Sequence, residues 1–264
     1  MKVVGVGQIN FWEGGSLWIG LSEAPVDPHS HHAIQVSIGL KGAIRFRTVA
    51  EGWVEYQGAL VPPHLPHSFE ATGSVTANIF CEPESETGRK LLARFGSETI
   101  VALPTDECQR LAATMREVYA SNEPDPVLNQ AARDVLQQLA AVVPRASATD
   151  ARVAKAMAEI ARRIHEPMAL GEIADAVHIS PSRLRHLFVA ETGVPFRPYV
   201  LWLRLQHALE QAVAGASWTE AAHASSFADS AHLSRTFRRM FGLNPSALPR
   251  LQPADGRSAL TPGS

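Results

Sequence analysis

Cysteine, lysine and long apolar runs are all scarce in this chain. Cys81 and Cys108 are its only cysteines, and no motif spacing relates them. Two distant thiols exclude a disulfide framework and a cysteine metal site, and they fit a reducing compartment. No run of about 18 or more apolar residues occurs, so no transmembrane helix is expected. The N-terminus reads Met1-Lys2-Val3-Val4-Gly5 and continues through Gln8, Asn10 and Glu13. It lacks the unbroken apolar core of a signal peptide, so a cytoplasmic location is expected. Lysine is limited to Lys2, Lys41, Lys90 and Lys155; the remaining basic residues are arginine. Planar guanidinium groups suit bidentate recognition of phosphate or carboxylate.

Charge of one sign is also lacking overall, since the net charge of 264 residues is -2. That average hides an asymmetry. Residues 1–149 hold 11 Lys/Arg against 16 Asp/Glu, whereas residues 150–250 hold 12 against 9. The C-terminal part is mildly basic and the N-terminal part acidic, which points to nucleic-acid contact by the C-terminal part alone.

Texture changes along the chain. Residues 1–88 are rich in Gly, Pro, Trp and His, with short alternating runs at 16–21, 34–38, 43–47, 53–56 and 75–80. Such closely spaced strands predict a small barrel or sandwich. Across 89–149 the period becomes helical. Leu111, Met115, Val118 and Tyr119 mark one helix, and Val127, Leu128, Ala131, Val135, Leu136 and Leu139 mark another. Pro124 and Pro126 are expected to separate these helices and Pro144 to stop the second. The pair can cover the barrel or meet another subunit; this connector is the expected dimerisation region. Residues 150–250 read as helical throughout, and the Pro, Gly, Ser and Ala of 251–264 predict a disordered tail.

The helical block repeats itself. Leu184, Phe188 and Gly193 fall on Leu233, Phe237 and Gly242, while Glu172-Ile173-Ala174 falls on Glu220-Ala221-Ala222 with one residue less between them. In each copy a short helix carries a small residue for close packing, Ala174 or Ala222. A turn follows, with Ile179 or Phe227 pointing inward. An N-cap comes next, Ser180 with Pro181 behind it or Asp229. The second helix buries Leu and Phe four residues apart and ends at glycine. This is a helix-turn-helix plan, whose second helix enters the major groove. Its outward positions are Ser182, Arg183, Arg185 and His186 in one copy. In the other they are Ser230, His232, Ser234, Arg235, Arg238 and Arg239. These are the expected DNA-binding residues. A stripe from Leu201 to Val213 predicts a helix of about sixteen residues, roughly 24 Å, joining the copies.

Residues 150–250 resemble the DNA-binding domain of the AraC/XylS family of bacterial transcription regulators. The matching text is Leu170-Gly171-Glu172-Ile173-Ala174, Ser180-Pro181-Ser182-Arg183-Leu184, Gly193-Val194-Pro195, Arg204-Leu205, and His232-Leu233-Ser234-Arg235-Thr236-Phe237 through Gly242-Leu243-Asn244-Pro245. Ser226 stands where a glycine is common, and Leu233 where an aromatic is common. The resemblance implies promoter DNA and RNA polymerase as partners and a homodimer as the working form.

The front domain is rich in histidine. His29-x-His31, Gln35 and Gly42 match the spacing of the first cupin motif, with Gln35 replacing its glutamate; Pro62-Pro63-His64-Leu65-Pro66-His67 resembles the second. A barrel brings the two motifs together. His29, His31 and His67, with the Gln35 amide oxygen, form a candidate site for Zn, Ni, Cu or Fe(II). Trp18, His64 and Phe46 are candidates for a ligand pocket in the barrel mouth.

The expected fold is α+β and multidomain. It comprises a cupin-like β-barrel, a helical connector and an all-α domain with two helix-turn-helix motifs joined by a long helix. The expected function is a non-enzymatic transcription regulator, of activator type, whose barrel senses a small molecule or metal ion. The alternative is a metal-dependent cupin enzyme, a dioxygenase or isomerase, fused to a DNA-binding domain. Gln35 counts against it, because catalytic cupin sites need the carboxylate. A third reading is a ligand-free regulator whose barrel serves dimerisation.

Overall fold

The computed structural model describes residues 5–121, 123–144 and 147–248. The expected disordered tail, 251–264, lies outside the described residues. The chain divides into two compact units, one of residues 1–146 with 237–264 and one of residues 147–236. The first is β-rich and the second helical, so the α+β class holds. Among the described residues no helix is long and apolar enough to cross a membrane.

The first unit holds β1 (Gly5–Trp12), β2 (Gly15–Ser22), β3 (Val26–His29), β4 (Ile34–Lys41), β5 (Ile44–Thr48), β6 (Val54–Tyr56), β7 (Gly58–Val61), β8 (His67–Glu70), β9 (Val75–Cys81) and β10 (Val101–Ala102). They form a six-stranded sheet, β1-β2-β9-β4-β7-β10, and a four-stranded sheet, β3-β8-β5-β6. The five expected strands correspond to β2, β4, β5, β6 and β9. The sequence reading missed the others because β1 is interrupted by glycines, β3 contains Pro28, and β7, β8 and β10 have four residues or fewer.

Side chains alternate across a strand, and here the alternation separates two environments. On one face of the large sheet Leu17, Ile19, Ile34, Val36, Ile38, Val75, Ala77 and Ile79 are buried in the largest core. That core is completed by α1 (Glu86–Phe95), α2 (Thr105–Ala120) and α3 (Asp125–Ala140), through Leu91, Met115, Tyr119, Leu128, Val135 and Leu139. The connector helices therefore cover the sheet. α1 was not anticipated, and Pro126, expected between helices, sits in the first turn of α3. Proline is harmless there because that N–H has no intrahelical partner.

The opposite face of the same sheet carries Trp18, Gln35, Ser37, Thr76, Asn78 and Phe80. Cross-strand register places Gln35 beside Phe80, and Ser37 beside Asn78, which in turn faces Trp18. Gln35 Nε2 donates to Ser37 Oγ at 2.8 Å and Ser37 Oγ to Asn78 Oδ1 at 2.7 Å. Part of the space between the sheets is filled by a small core of Ile44, Phe46, Ala59, Val61, Phe69 and Ala71. The rest is faced by amides, hydroxyls and aromatic rings.

The second unit contains α4 (Ala151–Arg162), α5 (Leu170–Ala176), α6 (Pro181–Thr192), α7 (Phe196–Val213), α8 (Trp218–Ala224) and the first part of α9 (Ser230–Phe241). Val153, Ile160, Ile173, Leu184, Phe188 and Tyr199 share one core. α7 has 18 residues, longer than expected because it starts at Phe196; at 1.5 Å each this is about 27 Å. From α7, Arg204 donates to the carbonyls of Ile164 (3.3 Å), Glu166 (2.7 Å) and Ser226 (3.4 Å). One guanidinium thus ties the end of α4 to the turn after α8, a fork that lysine cannot reproduce.

Candidate functional site

Pairing of β3 with β8 sets His29 directly opposite His67. Their ring centroids lie 4.3 Å apart, and His31 lies 5.7 and 5.2 Å from the two. Each ring is oriented by its own chain. His29 Nδ1 meets Asp27 O, His31 Nδ1 meets Ala33 O and His67 Nδ1 meets Leu65 O, all at 2.8 Å. A carbonyl only accepts, so each Nδ1 carries the proton and each Nε2 keeps its lone pair.

Burial pushes the pKa of His29 down to about 3 and that of His31 to about 4, and His67 falls well below its ordinary value. Neighbouring histidines add to each depression: His31 acts on His29, His29 and His31 act on His67, and His64 and His32 act on His31. The imidazoles are therefore neutral at physiological pH, the form that ligates metals. The three offer ligand atoms within 4.8 Å of one another. His67 Nε2 is buried and has no hydrogen-bond partner. His31 Nε2 faces Gln35 Oε1 at 2.9 Å. Two acceptors at that separation are reconciled by a cation bound to both or by rotation of the amide. The residues present thus fit a divalent ion of the kind imidazole prefers.

His29 and Gln35 also line an open cavity of about 130 Å³, with Trp18, Leu21, Asn78 and Phe80 among its other walls. Trp18 packs against Phe80 at 5.5 Å, and its indole Nε1 is buried with no partner. Of the three pocket candidates, Trp18 is in the wall. Phe46 is not; it is only 1% exposed and packs against Phe69 in the small core. His64 is not either. Its backbone, at φ 65°, donates N–H to His31 O, and its Nε2 lies 3.1 Å from His32 Nδ1. His32 in turn holds buried Glu84 at 2.6 Å.

The sequence reading did not single out Thr76, Asn78 and Phe80, although all three line the cavity. Their signal was present, because Thr and Asn alternate with Val75, Ala77 and Ile79 in a strand. An all-apolar inner face would have shown no such alternation. His32 and Glu84 were missed because nothing local links positions 52 apart.

In the helical region the candidate DNA contacts sit on two capped helices. Ser180 Oγ accepts from Arg183 N at 3.2 Å, Pro181 opens α6 and left-handed Gly193 (φ 72°) closes it. Asp229 Oδ1 accepts from His232 N at 2.6 Å, and Gly242 follows α9 at φ 69°. Ser182, Arg183, Arg185 and His186 are exposed on α6, as are Arg235, Arg238 and Arg239 on α9. Ser230, His232 and Ser234 are half-buried. Leu184, Phe188, Leu233 and Phe237 are fully buried.

The chain therefore combines a β-rich unit holding a polar and aromatic cavity with a helical unit holding capped, arginine-bearing helices. Residues 173–250 match the family described as "Helix-turn-helix domain". The chain is 30% identical over 148 residues to the transcriptional activator RhrA of Rhizobium meliloti, an alignment covering 53% of this chain and 46% of RhrA. It thus spans about half the length of that curated relative. The crystal structure of ToxT from Vibrio cholerae O395 shares the fold, with a TM-score of 0.61 at 12% identity over 91% of this chain and 99% of ToxT. ToxT bound to (E)-4-(8-methylnaphthalen-1-yl)but-3-enoic acid gives 0.58, also at 12% identity, over 94% of this chain and 100% of ToxT. The chain thus carries a helix-turn-helix domain at 173–250 and is similar, over about half its length, to a transcriptional activator.

Proposed function

We propose that the protein is a sequence-specific DNA-binding regulator whose N-terminal, cupin-like barrel senses a small molecule together with a metal ion. The pairs α5–α6 and α8–α9 are read as two helix-turn-helix units joined by α7. One observation carries this reading: both pairs have the same turn and cap, and both leave arginines exposed on the second helix. Bases and phosphates are then contacted from α6 and α9. Promoter DNA, RNA polymerase and a second copy of the chain are the partners this reading requires. It assigns no catalytic step, since Gln35 occupies the place of the carboxylate.

His29, His31 and His67 are read as ligands for Zn, Ni, Cu or Fe(II), with Gln35 beside them. ToxT, which shares the fold, is described with a bound organic acid of apolar body. That supports an organic effector for this chain too, one that must favour one of two states of the regulator.

The DNA assignment is tested by gel shift on genomic fragments selected by the full-length protein. The Arg183→Ala/Arg235→Ala variant is expected to lose specific binding, by tenfold or more, at unchanged thermal stability. Unchanged affinity in that variant overturns the assignment of the recognition faces.

A further inference from the structure

A divalent cation among His29, His31 and His67 would meet neutral donors only. The imidazoles are uncharged, and the position that could carry a carboxylate is the amide Gln35. Among the described residues the cluster contains no Asp or Glu. All three rings are at most 8% exposed. Buried charge without a counter-charge is strongly unfavourable. A bound anion would supply the missing negative charge, in place of the hydroxide that a metal-bound water yields. The geometry offers the cavity as its route, because His29 belongs to both the cluster and the cavity wall, and Gln35, also in that wall, lies 2.9 Å from His31 Nε2.

The cavity also restricts the body of that anion. About 130 Å³ is close to the ~150 Å³ that holds a benzene ring, and well short of a long acyl chain. Trp18 and Phe80 give it aromatic walls, and Trp18 Nε1, buried and unpartnered, offers one N–H donor. We propose that the effector is a compact organic oxyanion, with an apolar body about one ring in size. It enters by this cavity and supplies the negative charge that the three-histidine site lacks. This rests on the metal reading above. It makes ion and effector mutually dependent ligands, each raising the other's affinity by the same factor.

The experiment uses full-length protein, Co(II) and phenylacetate, with neutral phenylacetamide as the uncharged isostere and oleate as the long-chain acid. Titration calorimetry and the visible Co(II) spectrum are the readouts. Phenylacetate is expected to bind at least tenfold tighter with Co(II) present, and to change the spectrum. Phenylacetamide and oleate are expected to show no such coupling. Gln35→Glu, which restores a charge, should bind Co(II) tightly alone and lose most of the coupling. Equal phenylacetate affinity with and without Co(II) overturns the proposal, as does coupling unchanged in Gln35→Glu or equal coupling with phenylacetamide. Coupling with oleate equal to that with phenylacetate overturns the size limit. If Co(II) binds neither wild type nor Gln35→Glu, with or without phenylacetate, the metal reading itself fails.

Discussion

His178 and Ser226, 48 residues apart, occupy the same left-handed backbone position in the turns after α5 and α8, at φ 60° and 54°. Their hydrogen bonds match as well. Ile179 N donates to Ala174 O and Phe227 N to Ala222 O, at 3.0 and 2.9 Å, closing the two helices in the same way. Left-handed geometry suits glycine and penalises other residues. A glycine would therefore suit the position that Ser226 fills.

From that geometry, His178→Val is expected to lower stability by about 1–2 kcal/mol, since a β-branched side chain tolerates positive φ poorly. His178→Gly should be neutral or stabilising by up to about 1 kcal/mol. Ser226→Gly should gain less, because Ser226 Oγ donates to His165 O. Thermal melts of the three variants check the order; His178→Val as stable as wild type refutes it.

Arg204 makes three bonds to main-chain carbonyls. Arg204→Ala is expected to cost about 2–3 kcal/mol, because it leaves those acceptors without their charged donor. Arg204→Lys should recover only part of that loss, as seen by denaturant unfolding. Full recovery with lysine would show that charge, not the fork, is what matters.

In metal-free protein the buried histidines set an acid limit. Their folded pKa values, about 3 for His29 and about 4 for His31, lie below the ordinary 6.5. The unfolded chain therefore binds more protons as pH falls below about 6.5, and stability drops with it. The contribution is intact above pH 6.5 and is lost progressively between there and about pH 3. Melting temperatures from pH 8 to pH 4 should fall in that window, and less steeply in His29→Gln. A flat profile would contradict the burial of these rings.

His29→Ala combined with His67→Ala is expected to abolish bound metal, measured by elemental analysis after loading and desalting. Retention at wild-type stoichiometry places the metal elsewhere.

How much was legible beforehand follows from how far each signal reaches along the chain. The caps Ser180 and Asp229, the glycines after α6 and α9 and the buried Leu–Phe pairs were all readable. They are set by contacts within a turn or two of helix, so spacing alone carries them. The His-x-His and Pro-x-x-x-x-His segments were readable as chemistry but not as an arrangement. Pairing of β3 with β8 brings His29 to His67, and only that pairing shows that His64 turns toward His32 instead.

Residue types and helical period thus determined by themselves the repeated helix pairs, the arginine faces and the identity of the candidate ligands. The tertiary structure decided which face of the large sheet became core. The connector helices bury one face, and the other is left with Gln35, Asn78, Trp18 and Phe80 around a cavity. Strand alternation offers two faces and cannot say which one water or a ligand will meet. That depends on what packs against the sheet from distant parts of the chain.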